Sequence, residues 1–365
     1  MAMPTKFNLS FRKYTIAELR ANLESLQLLE DPHGYVRKVD DNFVHLLESN
    51  PSASANDLAL ILCTDGDTIV GRLGLIAGKV CFNGEFQSLY WMAGFFLDDK
   101  YRTSGAGGLL LLHALSFSRH LLAAGGPALS TRKLFDRSGY IELARLRQFV
   151  AFPSARPLLA KILGDNAATN FFATALDPIF RCWYVVCRLS LGRQQGKTII
   201  FESVDRFPAE LDLLLEAAPG NRFPKRVTDL NWVMAHRPEF NAYLVKRGNR
   251  LLGYCILSMK DLPFGRHRRF KHPMRVASLK DHYMVELEPA DCISFADFCF
   301  SYAVDKNAEV LFCQFKDQVF ERAFHRLGFL TYGGSYIHYR PPHGKERYET
   351  AEWHLTAGVS DMILN

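Results

Sequence analysis

The sequence predicts an α/β (α+β) protein of two similar halves, each a mixed, mostly antiparallel sheet flanked by helices. Three observations predict it. An apolar, aromatic-rich segment, Leu89–Leu97, runs into a glycine-rich turn, Tyr101-Arg102-Thr103-Ser104-Gly105-Ala106-Gly107-Gly108, and then into a helical run from Leu109. Before that turn the patterns read as helices and then an antiparallel meander; after it they read as strand, short helix and strand. The second half of the chain repeats this order.

The elements follow from local chemistry. Ile16, Leu19, Leu23, Leu26 and Leu29 recur at helical spacing behind Thr15, a good N-cap, so 15–29 is expected to be a helix. A second helix is expected over 39–47. The strands 58–63 and 68–75 flank Asp65-Gly66, a hairpin turn, and Asn83-Gly84 marks another. The helix after the glycine turn is expected to stop near Gly125-Gly126. A short strand over 127–130, a helix over 131–138 ended by Gly139, and a strand pair or one long strand over 142–152 complete the first half.

Residues 154–197 read as a helical connector. Its most apolar window, 171–191, contains Asp177, Pro178, Arg181 and Arg188, so a transmembrane span is not expected; a buried or interdomain helix is, in preference to one lying on a membrane surface. Within it, 192–198 mimics a phosphate-binding Walker loop, but its glycines stand one residue too close and the stretch precedes a strand.

In the second half, 243–253 echoes the hairpin that ends at Gly71, and 323–329 echoes 134–140. The offsets, 253 − 71 = 182 and 328 − 139 = 189, agree with a duplicated unit. The expected division is therefore 1–153, connector 154–197, second half 198–341 and tail 342–365. At the place of the glycine turn the second half reads Val285-Glu286-Leu287-Glu288-Pro289-Ala290-Asp291-Cys292, whose carboxylates would repel an anion.

The chain has 365 residues, 48% hydrophobic and 22% charged, with a net charge of +6, the composition of an ordinary globular protein. The mild basicity suits an anionic ligand and falls short of a nucleic-acid-binding face. The 8 cysteines lie mostly in apolar runs without a Cys-x-x-Cys pair, so reduced thiols are expected and a metal is not. The N-terminus shows no signal-peptide core, and a cytoplasmic location is expected.

A strand feeding a glycine turn and a helix offers free backbone amides and the positive end of a helix dipole to a phosphate or pyrophosphate. The candidates are Arg102, Thr103, Ser104, Gly105, Ala106, Gly107 and Gly108, with Arg102 adding a cation. Leu109 follows Gly108 where a Walker loop needs lysine, and Leu110 stands where a dinucleotide fingerprint needs its third glycine.

Arg-x-x-Gly-x-Gly, carried by Arg102, Gly105 and Gly107, resembles the acetyl-CoA loop of the GNAT superfamily of acyltransferases. The resemblance implies a tandem of two GNAT-like domains, the first binding acetyl-CoA or another acyl-CoA as co-substrate. It implies that Phe95, Phe96 and Leu97 pair with the pantetheine arm. The reaction implied is N-acyl transfer to a small amine or amino sugar in a cleft between the halves. The basic stretch 266–272 would either hold an anionic acceptor or be a solvated loop.

The chain departs from the family at two places. Gly94 stands where many members carry a carboxylate base, and Phe135 (Phe324 in the second half) where many carry a tyrosine acid. Asp98 and Tyr90 are the nearest catalytic candidates. Two other readings remain: a CoA-binding sensor or scaffold without catalysis, and a peptidoglycan-type transferase that uses aminoacyl-tRNA.

Overall fold

A computed structural model describes residues 8–32, 39–118, 121–125, 129–190, 199–217, 220–223, 225–262, 273–341, 348 and 353–354. The Walker-like stretch and the basic stretch 266–272 lie outside the described residues, Thr198 included.

The first half runs β1 (Leu9–Thr15), α1 (Ile16–Gln27), α2 (Asp41–Glu48), β2 (Leu58–Asp65), β3 (Thr68–Phe82), β4 (Glu85–Leu97), α3 (Ala106–Phe117), β5 (Leu121–Gly125), α4 (Leu129–Arg137) and β6 (Ile141–Ala151). Two helices follow, α5 (Arg156–Leu163) and α6 (Ala167–Ser190). The second half opens with β7 (Ile199–Val204), α7 (Glu210–Glu216), β8 (Asn221–Arg222) and α8 (Val227–His236). It closes with β9 (Phe240–Arg247), β10 (Arg250–Leu262), β11 (Met274–Met284), α9 (Pro289–Asp305), β12 (Val310–Phe315), α10 (Gln318–Arg326), β13 (Leu330–Arg340) and β14 (Trp353–His354).

Local signals account for many of these boundaries. Thr15 caps α1 reciprocally: its hydroxyl accepts from the Glu18 amide at 3.2 Å, and Glu18 accepts from the Thr15 amide at 2.7 Å. The repeated glycines share one conformation. Gly66 and Gly248 turn the two hairpins at φ +60° and +61°, and Gly139 and Gly328 end α4 and α10 at +84° and +83°.

Two expectations are corrected, and one strand appears that was not expected. The helix after the glycine turn ends at Phe117, because Leu121–Gly125 is taken as a strand by neighbours on both sides. Leu129 and Ser130 open α4 and do not form a strand. Residues 9–15, too polar to announce themselves, pair with β2 as an edge strand.

The sheet runs β1-β2-β3-β4-β5-β13-β6-β12-β11-β10-β9-β7, with β8 beside β3 and β14 beside β8. Along the main path only β4–β5 and β11–β12 are parallel pairs. The last strands of the two halves change places. β13 lies between β5 and β6, and β6 lies between β13 and β12. Packing follows the exchange: Phe149 of β6 is buried with Phe315 and Phe324, while Ile337 and Tyr339 of β13 are buried with Val80 and Leu89.

Candidate functional site

The site forms where β4 and β5 part. Their ladder consists of Tyr90↔Leu121 and Trp91↔Leu122, so Met92 to Leu97 run on without β5. On its other edge β4 carries a bulge. Arg72 faces Phe96 and Gly74 faces Ala93, which leaves Gly94 and Phe95 opposite Leu73 alone. Gly94 sits at φ +59°, a conformation few other residues adopt at low cost.

The strand then delivers the glycine turn, which is tied down at several points. The Asp98 amide donates to Val70 O at 2.8 Å, and the Asp98 carboxylate accepts from the Lys100 amide at 3.2 Å. Tyr101 is buried, with its hydroxyl on Asp65 at 2.7 Å. The Ser104 hydroxyl donates to Tyr101 O at 2.7 Å and accepts the Ala106 amide at 3.2 Å. Gly105, at φ +85°, turns the chain into α3.

The first bond closing that helix runs from the Leu109 amide to Gly105 O at 3.1 Å. Helix geometry therefore gives the Gly107 and Gly108 amides no partner within α3. Phe95 and Leu97 border the same turn: a Cβ on Gly107 would lie 3.7 Å from Leu97 and 3.8 Å from Phe95. On Gly108 it would meet Leu134 at 3.8 Å. These are ordinary contacts, so the packing of the protein does not require glycine at either position. Arg102 is exposed and pairs with Asp99 at 2.5 Å.

The structure thus brings the turn and the end of β4 together. Phe96 faces the other side of the sheet, packed with the α1–α2 core. Asp98 serves as a cap of the turn. Tyr90 stands roughly 23 Å back along the strand from Leu97. Its ring meets Phe117 at the far end of α3 (5.2 Å), and its hydroxyl donates to Asp57 at 2.7 Å. Burial, reinforced by Asp57, pushes the Tyr90 phenol well above its ordinary pKa.

A residue that the sequence did not single out lies one strand beyond the gap. His338 of β13 pairs with Ala123 of β5, level with Met92, about 10 Å from β4 by strand spacing. Met92 accepts from the Tyr140 hydroxyl at 2.9 Å, Tyr140 stacks on Phe135 at 4.6 Å, and Phe135 lies 5.4 Å from the His338 ring. His338 is only 5% exposed, and among the described residues its Nδ1 has no hydrogen-bond partner. Burial and then Arg132 lower its pKa, against Asp136, which raises it. In sequence His338 is one alternate residue of a strand, and nothing local marks it.

The corresponding place in the second half is closed. β11 pairs with β12 over Val276–Ser278 only and then diverges with a bulge at Lys280. His282, Phe295, Phe315 and Phe320 pack together there. At the start of α9 the Asp291 carboxylate accepts the Glu288 amide at 2.8 Å and pairs with Arg247, and Arg250 pairs with Glu286 at 2.5 Å. The chain's own carboxylates take the position an anion would need. Because Asp291 and Arg247 are largely buried, Asp291→Ala is expected to cost about 3 kcal/mol in denaturant unfolding by removing the closest partner of Arg247, which keeps, among the described residues, only Glu288 at 4.0 Å and Glu286 O at 3.3 Å.

His282 adds a second expectation. Burial, only partly offset by Asp281, lowers its pKa to about 4. Below its unfolded-state pKa, near 6.5, the unfolded chain takes up a proton that the folded chain refuses. This stability is intact above that pH and is lost as pH falls towards 4, to a total of about 3 kcal/mol. In His282→Phe, unfolding measured against pH should show a shallower acid limb.

No family model matches the sequence, and no curated protein matches it. Solved structures do match the fold. N-myristoyltransferase of Saccharomyces cerevisiae with bound myristoyl-CoA aligns with a TM-score of 0.55 at 10% identity, over 93% of this chain and 84% of that one. A putative acetyltransferase from Pyrococcus horikoshii aligns with a TM-score of 0.51 at 11% identity, over 100% and 98%. A probable N-acyltransferase from Enterococcus faecalis gives 0.52 at 10% identity, over 91% and 72%. The chain has the GNAT-like N-acyltransferase fold.

Proposed function

We propose that the protein is an acyl-CoA-dependent N-acyltransferase whose first half holds the donor. The observation that carries this reading is the nearness of the Gly107 and Gly108 turn to the end of β4 beyond its ladder with β5, set against the closed counterpart in the second half. The pyrophosphate would lie on α3, and the pantetheine arm would follow Met92–Leu97 as an added strand. A β4 amide would then polarise the thioester carbonyl. Acetyl-CoA is the proposed donor and a small amine or amino sugar the proposed acceptor.

The acceptor would enter between the halves, where Trp91 meets Phe223 at 5.1 Å and Trp232 donates to Leu46 O at 3.0 Å. In the reaction the amine nitrogen bonds to the carbonyl carbon, the C–S bond breaks, and the amine's proton ends on the thiolate. His338, held uncharged at neutral pH, is the group proposed to carry that proton, with Asp98 and Tyr90 keeping the loop and strand in place.

Calorimetry with CoA and acetyl-CoA tests the donor site; no heat at millimolar ligand would end the proposal. Thiol release across an amine panel tests the chemistry. Phe135 in place of a tyrosine, and a Tyr140 hydroxyl occupied by Met92, favour one second reading, a CoA sensor. Tight binding without thiol release would establish it. Retention on tRNA without CoA binding would instead favour the aminoacyl-tRNA reading.

A further inference from the structure

Two arginines converge on one tyrosine next to His338. Arg145 faces Tyr336 across the β6–β13 ladder, and Arg132 reaches the same ring from α4. The guanidinium carbon of Arg132 lies 4.1 Å from the ring centroid and that of Arg145 5.4 Å. The Tyr336 ring stands 6.2 Å from that of His338. A guanidinium over a ring shares its charge with the π face and keeps its in-plane N–H donors for another partner. Among the described residues no carboxylate pairs with either arginine, and the buried Nε of Arg132 is unsatisfied, as is Nδ1 of His338. Asp136, one helical turn from Arg132 and its natural ion-pair partner, is exposed and acts on His338 instead. Glu142 faces His338 across the ladder and is likewise exposed. Arg145 is exposed and Arg132 and Tyr336 are half-buried, so a solute can reach them.

The matching place in the second half is neutralised. Gly139 and Gly328 lie 189 residues apart, and the same spacing relates Arg132 to Glu321, Arg147 to Tyr336 and Phe149 to His338 (321 − 132, 336 − 147 and 338 − 149 all equal 189). There the helix residue is an acid and the strand residue a cation, and Glu321 pairs with Arg147 at 2.8 Å. Phe149 packs on Phe315 and Phe324. In the first half the helix carries a cation, the strand a ring, and an imidazole stands in place of the phenylalanine. Two positive charges gathered on one ring without a carboxylate leave a local field that favours an anion.

We propose that Arg132 and Arg145, gathered on Tyr336, form a binding site for a carboxylate or phosphate group, and that the acceptor amine carries this group. Guanidinium forks match the paired oxygens of either anion. The second clause rests on the proposed acyl transfer: an amine within reach of His338 would place an acid a few bonds away beside the Tyr336 ring. A free anion from solution is the other source of the same chemistry.

Two measurements separate the site from the source of its ligand. The first needs no catalysis: inorganic phosphate is titrated while following the histidine NMR signal that His338→Ala removes. The signal is expected to move to saturation in the parent and to need about tenfold more phosphate in Arg145→Gln. Arg132 also acts on His338, so Arg145 is the residue to change. Arg145→Lys, which keeps the charge and loses the fork, should fall between the two, and it serves alone if Arg145→Gln fails to fold. A signal that phosphate does not move, or moves equally in parent and variant, overturns the site. The second measurement is thiol release from acetyl-CoA with glucosamine 6-phosphate against glucosamine, and with an α-amino acid against its amide. The anionic member is expected to lead by about tenfold in kcat/KM, and the variant to bring that ratio near one. Equal ratios in parent and variant, with phosphate still bound, assign the site to a free anion and overturn the acceptor clause. Absence of thiol release from every amine overturns the acyl transfer and that clause with it, while the phosphate titration decides the site by itself.

Discussion

Replacing Gly107 with valine is expected to leave the melting temperature near that of the parent and to weaken CoA binding by about 10² to 10⁴-fold. The first half of this expectation follows from space within the protein. A Cβ at Gly107 meets Leu97 at 3.7 Å and Phe95 at 3.8 Å, ordinary contacts. Valine also forms helix more readily than glycine, by a few tenths of a kcal/mol, so α3 should not suffer.

The second half follows from what glycine leaves open. Without a side chain, a phosphate oxygen reaches the amides of the first turn directly; an isopropyl group holds it off. Two charge-assisted hydrogen bonds lost at about 1.5–3 kcal/mol each give the range stated. Calorimetry with CoA, alongside thermal unfolding, measures both. If the glycines serve packing, the result reverses: the melting temperature falls and affinity, where present, is unchanged.

His338→Ala is expected to lower kcat by about 10² to 10⁴-fold while CoA affinity stays the same. The buried imidazole has an Nδ1 without a partner among the described residues and stands level with Met92, two strand spacings from the point where β4 leaves β5. A side chain that merely fills space there would change stability and donor affinity together, and its loss would not alter the pH–rate profile. A proton carrier should instead show an acid limb in kcat that disappears in the variant. Arg132 and Asp136 of α4 both act on the ring, so Arg132→Gln should move that limb upward in pH.

The glycine turn was legible in the sequence because its requirements are local: Gly105 must sit at φ +85°, and the Gly107 and Gly108 amides have no partner within the helix. The repeated turns were legible for the same reason, since Gly66 and Gly248 need the same backbone. β5 was not. Leu-Leu-Ala-Ala-Gly favours a helix on propensity, and only pairing with β4 and β13 makes it extended.

The exchange of β6 and β13 left no local mark, because Leu330↔Val150 is a contact between residues 330 − 150 = 180 positions apart. His338 comes within two strand spacings of β4 only through that exchange, so nothing in the first half by itself points to it. The exposed side of α6 was not legible for a different reason. Apolar content reports how much surface avoids water, and says nothing about what covers it.

The traded strands bear on how the molecule comes apart. β5 is flanked by β13 and β12 by β6, so each half is bordered by the last strand of the other. Opening either half strips a strand from its neighbour, and the two are tied into one cooperative transition in place of two separate ones.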